Sequence, residues 1–212
     1  MPSKLHLAVD VLASAIRRQA APLMVAIDGP SGAGKSTLAA IVAARLGTAL
    51  ISTDDFFDAS ITATGWATRS PEQRAADALD WRRLRHDALE PLRAGQVARW
   101  QSFDFVAGPR PDGTYAMNAV ATVCSPNPVV ILEGAYSSRP ELADFVDFAV
   151  LVDAPFSVRA ARLALRENPA VLAAWHAQWD AAEAYYFGQI RPPAAFDLVL
   201  DLAAEDRAPI AG

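Results

Sequence analysis

Cysteine is almost absent. The 212 residues hold one, Cys124, so no disulfide framework can form within the chain, which suits a reducing cytoplasm. Its apolar setting, AVATVCS, predicts a buried, unreactive thiol. Histidine is scarce as well. His6, His86 and His176 lie far apart in no ligand-type spacing, which argues against a zinc site. No stripe of Lys and Arg stands out and the net charge is −5, which counts against nucleic acid as a main partner. A basic membrane anchor has no support either, and no apolar run is long enough to span a bilayer. The opening MPSKLHLAVDVLASAIRRQAAP carries an early lysine, Asp10 within its apolar stretch and Arg17-Arg18 behind it. That order is wrong for a secretory signal. Leu5, Val9, Leu12, Ala13 and Ile16 recur at helical spacing behind Ser3 as N-cap, predicting an amphipathic helix within residues 1–21.

Apolar residues, by contrast, are plentiful: 52% of the chain is hydrophobic, enough for one full core. A single domain over 1–212 is the expectation. Repeats, low-complexity tracts and interdomain linkers are not evident. Five short apolar runs read as strands: 23–28, 49–53, 129–134, 148–153 and 197–202. Most are continuous and not alternating, the pattern of strands covered on both faces in a parallel sheet. Helical patterns lie between them over 35–46, about 71–94 and about 157–187. The alternation argues for an α/β doubly wound fold. The stretch from about 95 to 128 is less legible: GPRPDGTY and SPNP within it are loop-like, and 114–123 is either a short strand or irregular.

The most informative stretch is MVAIDGPSGAGKSTLAA, 24–40. Gly29-Pro30-Ser31-Gly32-Ala33-Gly34-Lys35-Ser36 satisfies G-x-x-x-x-G-K-[ST] in full, between a strand and a helix. Gly29, Gly32 and Gly34 permit angles and close approach that a Cβ blocks. Successive amides then turn inward as an anion nest at a helix N-terminus. A nucleoside triphosphate is expected on Gly29, Ser31, Gly32, Ala33, Gly34, Lys35, Ser36 and Thr37. Lys35 supplies a charge for the β- and γ-phosphates, and the Ser36 hydroxyl a ligand for Mg²⁺. Switches, motors and kinases share this loop, so it does not by itself fix the reaction.

VAIDGPSGAGKSTLA resembles the uridine kinase family, whose relatives include pantothenate kinase and phosphoribulokinase, and further segments follow in the same order. The resemblance implies a three-layer α/β/α P-loop kinase with a mainly parallel, about five-stranded sheet and a helical lid. It also implies ATP and Mg²⁺, with a small hydroxyl compound as phosphate acceptor. STDDFFD, 52–58, matches the stretch whose first aspartate takes the acceptor proton, here Asp54; Asp54 and Asp55 are equally able to cap the next turn. VVILEG, 129–134, matches the strand ending in Glu-Gly and gives Glu133 a place in the Mg²⁺ shell. VDAPFSVRAARLALRE, 152–167, matches the lid about 157–187. Arg159 is assigned to nucleotide binding and Arg162 and Arg166 to the transferring phosphate, and all three share one helix face. A solvated basic face is the plainer alternative. Leu163 and Glu167 stand where the family pattern has Arg and Asp.

The acceptor region is expected at about 66–115. Phe103, Asp104 and Arg110 match a Tyr-Asp-Phe … Arg segment and are assigned to substrate; Asp77 and Asp80 are weaker candidates. Phe103 lacks the tyrosine hydroxyl and Gly108 replaces a histidine. A site without those groups discriminates poorly for a pyrimidine, so another small alcohol fits as well. Trp175 and Trp179 stand at i, i+4, as core or as a pocket wall; Trp66, Trp81 and Trp100 carry the same choice. The expected protein is a cytoplasmic small-molecule kinase, with no nucleic-acid or membrane partner and homo-oligomerisation left open. Two rivals remain: a nucleotide-binding regulator, and a zeta-toxin-like kinase of nucleotide sugars. Asn-Lys-x-Asp and Leu-Ser-Gly-Gly-Gln motifs are both missing, which weakens switch and transporter-ATPase readings.

Overall fold

Ser3 opens the first helix as its spacing requires: its hydroxyl accepts from the His6 amide at 3.3 Å. Helix α1 (Lys4–Arg17) buries Ala8, Val9, Leu12, Ala13 and Ile16. The computed structural model describes residues 3–166 and 169–203, and only the backbone at 169–172, 174, 175 and 177. Glu167 and the Trp175 side chain therefore lie outside the described residues.

Seven strands and seven further helices make up the rest of the described frame. In order after α1 they are β1 (Leu23–Asp28), α2 (Lys35–Leu46), β2 (Ala49–Ser52), α3 (Ala63–Thr68), α4 (Pro71–Asp77), α5 (Trp81–Leu84) and α6 (Glu90–Arg93). Then follow β3 (Ala98–Trp100), β4 (Thr122–Cys124), β5 (Val129–Glu133), β6 (Phe148–Asp153), α7 (Phe156–Arg166), α8 (Pro169–Tyr185) and β7 (Leu198–Asp201). The five apolar runs form one parallel sheet in the order β2-β5-β1-β6-β7. All six residues of central β1 are buried, which is why its sequence is continuous and not alternating. Fully burying a Val or Ile side chain there contributes about 1.5–3 kcal/mol.

Each face of the sheet has its own packed layer. On one, α1 and α2 cover it through Leu12, Leu38, Val42, Ile27 and Val150. On the other, Phe56, Trp66, Leu84, Leu89, Trp100 and Trp179 form the larger cluster. This is the three-layer α/β/α arrangement. Register brings Asp28, Ser52 and Glu133 to the same carboxyl edge: Glu133 is level with Ile27 and with Ser52. In parallel sheets this edge is where ligands collect.

Three expectations about elements change. The helical pattern over 71–94 is broken, because Asp58 N donates to Ala78 O at 3.2 Å and Asp80 N to Phe56 O at 2.8 Å. That exchange is a single antiparallel bridge between Phe57 and Leu79 that ends the helix, and Asp80 then caps α5 through the Arg83 amide. The pattern over 157–187 is two helices, α7 and α8, followed by a wider turn over Tyr186–Ile190. Residues 95–128 hold an antiparallel pair, β3 with β4, that the loop-rich composition concealed. Cys124 ends β4 half-buried and not sealed in the core, with burial pushing its thiol up.

Candidate active site

Between β1 and α2 the chain wraps around a point just beyond the sheet edge. Gly32 has φ +78, and a Cβ on it would press on the Arg159 main-chain oxygen at 2.7 Å. Gly29 lies so near the Val152 carbonyl that a Cβ there would overlap it. The glycines thus permit the loop to nest between β6 and α7. Gly34 opens α2 at φ 104, so the loop amides and the helix N-terminus converge. Lys35 is buried and donates to Pro30 O at 3.1 Å.

A cavity of about 400 Å³ lies over this loop. Ser31, Gly32, Gly34, Lys35, Ser36 and Thr37 line one side, with Arg162 and Arg166. Asp54, Phe57, Leu79 and Trp179 line the other, with Glu133 between the two. Asp54 sits on a short turn of 3₁₀ helix, Thr53–Phe56, directly after β2, and its side chain is exposed to the cavity side. Asp55 faces elsewhere: its carboxylate accepts from Trp100 Nε1 at 2.7 Å. Burial raises the Asp55 carboxyl, and the Asp54 charge adds to the rise. The adjacent acids are thus divided, one to the cavity and one to the core.

The Ser36 hydroxyl donates to Glu133 Oε1 at 2.9 Å. Burial pushes the Glu133 carboxyl up, the Lys35 charge opposes this, and Asp54 adds to it. A serine hydroxyl beside a carboxylate is an all-oxygen donor set, the chemistry that suits Mg²⁺ held partly by substrate phosphates.

The lid arginines divide their work. Arg159 Nη1 donates to Ser31 O at 3.1 Å. Arg162 donates to Ala33 O at 2.9 Å and to Leu202 O at 2.7 Å. Both grip the outside of the phosphate loop, while Arg162 and Arg166 also border the cavity. Leu163 is buried among them.

The expected acceptor residues are not brought there. Phe103 is buried edge-on against Phe57, ring centroids 5.0 Å apart, and outside the cavity lining. Asp104 turns back to accept from the Val106 and Ala107 amides. Arg110 is exposed in the turn closed by the Pro109–Tyr115 bridge, its amide donating to Thr114 O at 2.7 Å. The cause is local: residues 103–117 pair with one another in an excursion whose turns engage the Asp104 carboxylate and the Arg110 backbone. Asp77 pairs with Arg69 at 2.8 Å, and Asp80 with the α5 cap.

Two acids that the sequence did not single out matter more. Asp28, fully buried at the end of β1, accepts from the amides of Gly29, Tyr136 and Ser138 and from the hydroxyls of Ser138 and Tyr186. It ties the start of the phosphate loop to the turn after β5 and to the end of α8. Glu183 of α8 accepts from Ser31 N at 3.0 and 3.1 Å and from Ser31 Oγ at 2.5 Å. Asp28 had a signal, a charge closing an all-apolar strand. Glu183 had none, since its partner is 152 positions away.

A cytidylate kinase family model matches residues 25–79, well under half of the chain. No curated protein matches the sequence. A solved candidate uridine kinase from Bacillus stearothermophilus is 22% identical with a TM-score of 0.67, covering 93% of this chain and 99% of that one. A candidate fructose transport system kinase from Silicibacter sp. TM1040 is 23% identical with a TM-score of 0.57, covering 94% and 99%. A circularly permuted P-loop kinase candidate from Saccharomyces cerevisiae is 10% identical with a TM-score of 0.54, covering 96% and 100%. The fold is that of uridine kinase-like and related P-loop kinases.

Proposed function

We propose that this chain is a kinase that transfers the γ-phosphate of ATP to a hydroxyl of a small molecule. One observation carries the reading: Asp54 borders the same cavity as Lys35 and Ser36. A base on the acceptor side facing a phosphate loop is what in-line transfer between two ligands needs. A regulator that only binds nucleotide has no use for an acid and an apolar wall facing the loop across the same cavity.

The loop amides and Lys35 would hold the triphosphate, and Ser36 with Glu133 would hold Mg²⁺, which shields phosphate charge when bound. Phe57, Leu79 and Trp179 pack the body of the acceptor. Asp54 orients its hydroxyl and takes the proton as the oxygen bonds to the γ-phosphorus and the bond to the β–γ bridging oxygen breaks. Arg162 and Arg166 stabilise charge on the moving phosphoryl group and the departing ADP. The apolar acceptor wall supports a compact alcohol with a nonpolar face. A cytoplasmic setting is proposed on composition alone. No helix among the described residues is long and apolar enough to cross a membrane.

The test is ADP release from Mg·ATP by the purified chain across nucleosides, sugars, pantothenate and glycerate. Release that rises with one acceptor supports the proposal. Tight nucleotide binding with no acceptor dependence anywhere in the panel overturns it in favour of a regulator.

A further inference from the structure

The third residue of the phosphate loop already holds an anion. An amide in such a nest ordinarily points at a phosphate, yet Ser31 N–H points at both oxygens of Glu183, at 3.0 and 3.1 Å, and Ser31 Oγ donates to one of them. The carboxylate reaches the loop from α8, is 5% exposed, and borders the cavity. Arg159 Nη1 stands 3.7 Å from it and holds the carbonyl of the same Ser31. Both main-chain ends of that residue are thereby fixed by one ion pair.

The surroundings are asymmetric in charge. Lys35 from α2 and Arg159 from α7 attract the carboxylate, and Arg162 and Arg166 of α7 border the same cavity. Glu133 at the end of β5 and Asp54 after β2 border the cavity too, and Asp28 lies behind, beyond Tyr136. Tyr136, on the turn after β5, is pushed up by burial, by Glu183 and by Asp28, so its phenol stays protonated. Burial raises the Glu183 carboxyl, while Ser31, Lys35 and Arg159 oppose the rise. An incoming triphosphate adds several negative charges beside this group, and like charge raises a carboxyl further.

We propose that Glu183 stands in for phosphate on the free loop, and that a triphosphate binds together with one solvent proton taken up by this carboxylate. The protonated acid keeps the Ser31 amide on its carbonyl oxygen and offers its O–H to the phosphate. No bond to carbon or phosphorus changes. Glu183 is a positioning residue, acting on the phosphates through Ser31 and its own proton. The proposal rests on the loop taking a triphosphate.

The probe is Mg·AMP-PNP, titrated calorimetrically into the full chain between pH 5 and 8 in two buffers of different ionisation heat. Because the bound value lies above the free one, affinity is greatest at low pH and falls as pH rises through the bound value, by up to about tenfold per unit. Net proton uptake is expected within that window. Glu183→Gln, isosteric and uncharged, is expected to lose this uptake, flatten the profile and bind tighter at pH 8. Equal uptake and equal slopes in the two proteins overturn the proposal while leaving the triphosphate reading intact. Failure of AMP-PNP to bind at any pH overturns both. If the variant fails to fold, absence of proton uptake by the natural chain across the whole range is enough to refute the idea.

Discussion

Ser36 and Glu133 are 97 positions apart in sequence, yet the hydroxyl of one donates to the carboxylate of the other at 2.9 Å. One opens a helix and the other ends a strand. The parallel pairing of β1 with β5 sets this distance, because Glu133 is level with Ile27, two residues short of Gly29. A metal shell shared by these oxygens needs that register.

Glu133→Gln should therefore weaken Mg²⁺ dependence more than nucleotide binding. A carboxylate that orients a metal ligand such as the Ser36 hydroxyl is worth about 10- to 100-fold in metal affinity. The check is the Mg²⁺ concentration for half-maximal turnover at saturating ATP. An unchanged midpoint removes Glu133 from the metal shell.

Asp54→Asn is expected to leave ATP binding nearly intact and to lower kcat by about 10²- to 10⁴-fold. Asp55→Asn should instead lower stability, since Asp55 holds Trp100. Measuring kcat and thermal midpoint for both separates the roles. A full kcat in the Asp54 variant ends its assignment as base.

Asp28→Ala leaves five hydrogen-bond donors without their buried acceptor. A loss of about 3 kcal/mol or more is expected, or roughly 10 °C in Tm for a chain of this size. Calorimetry of the variant tests this, and a fall of only a degree or two would mean that the hub is not needed.

Gly32→Ala forces a side chain into left-handed backbone, which costs about 1–2 kcal/mol, before the contact with Arg159 O is counted. Nucleotide affinity should drop together with Tm, because the same residue shapes the loop and seats α7. A variant that loses neither would show that the loop is pliable.

Acid should weaken the turn after β5. Arg139 is buried and donates to both oxygens of Glu141, and that hydrogen bonding, outweighing the opposite push of burial, holds the Glu141 carboxyl below its usual 4.5. A depressed value means stability that is present above the unfolded pKa and lost as pH falls through the folded one. Glu141 is more than a third exposed, so the contribution is at most about 1 kcal/mol. Glu141→Gln should lower Tm at pH 7, and the gap should close below pH 4.5. A gap constant from pH 7 to 3 would refute the pairing.

Local signals carried much of this protein. Continuous apolar runs such as Leu23–Asp28 mark strands buried on both faces, and Lys35–Leu46 has its helix start and stop in its own glycines. The phosphate loop needs only backbone angles and a following helix, so its eight residues can be read without the fold. The acid chosen after β2 was also legible, because a strand end in a parallel sheet faces the crevice.

Other features depend on distant partners, which a sequence does not pair. Phe103, Asp104 and Arg110 look like a binding segment in one dimension, but the turns of residues 103–117 absorb them. The helical pattern over 71–94 gives no sign of the break at residues 78–80, which comes from pairing with Phe56 and Asp58. Glu183 and Asp28 acquire meaning only when α8 crosses the loop, since hydrogen bonds of 2.5–3.1 Å are set by tertiary packing. The sequence by itself determined the five strands of the parallel sheet, the turn of the loop and the place of Asp54 after β2, because each rests on short-range periodicity and backbone freedom. Only the tertiary structure decided which buried acids hold the cup and what walls the acceptor side, because it brings Glu183 to Ser31 and Tyr136, Ser138 and Tyr186 to Asp28 across more than a hundred positions.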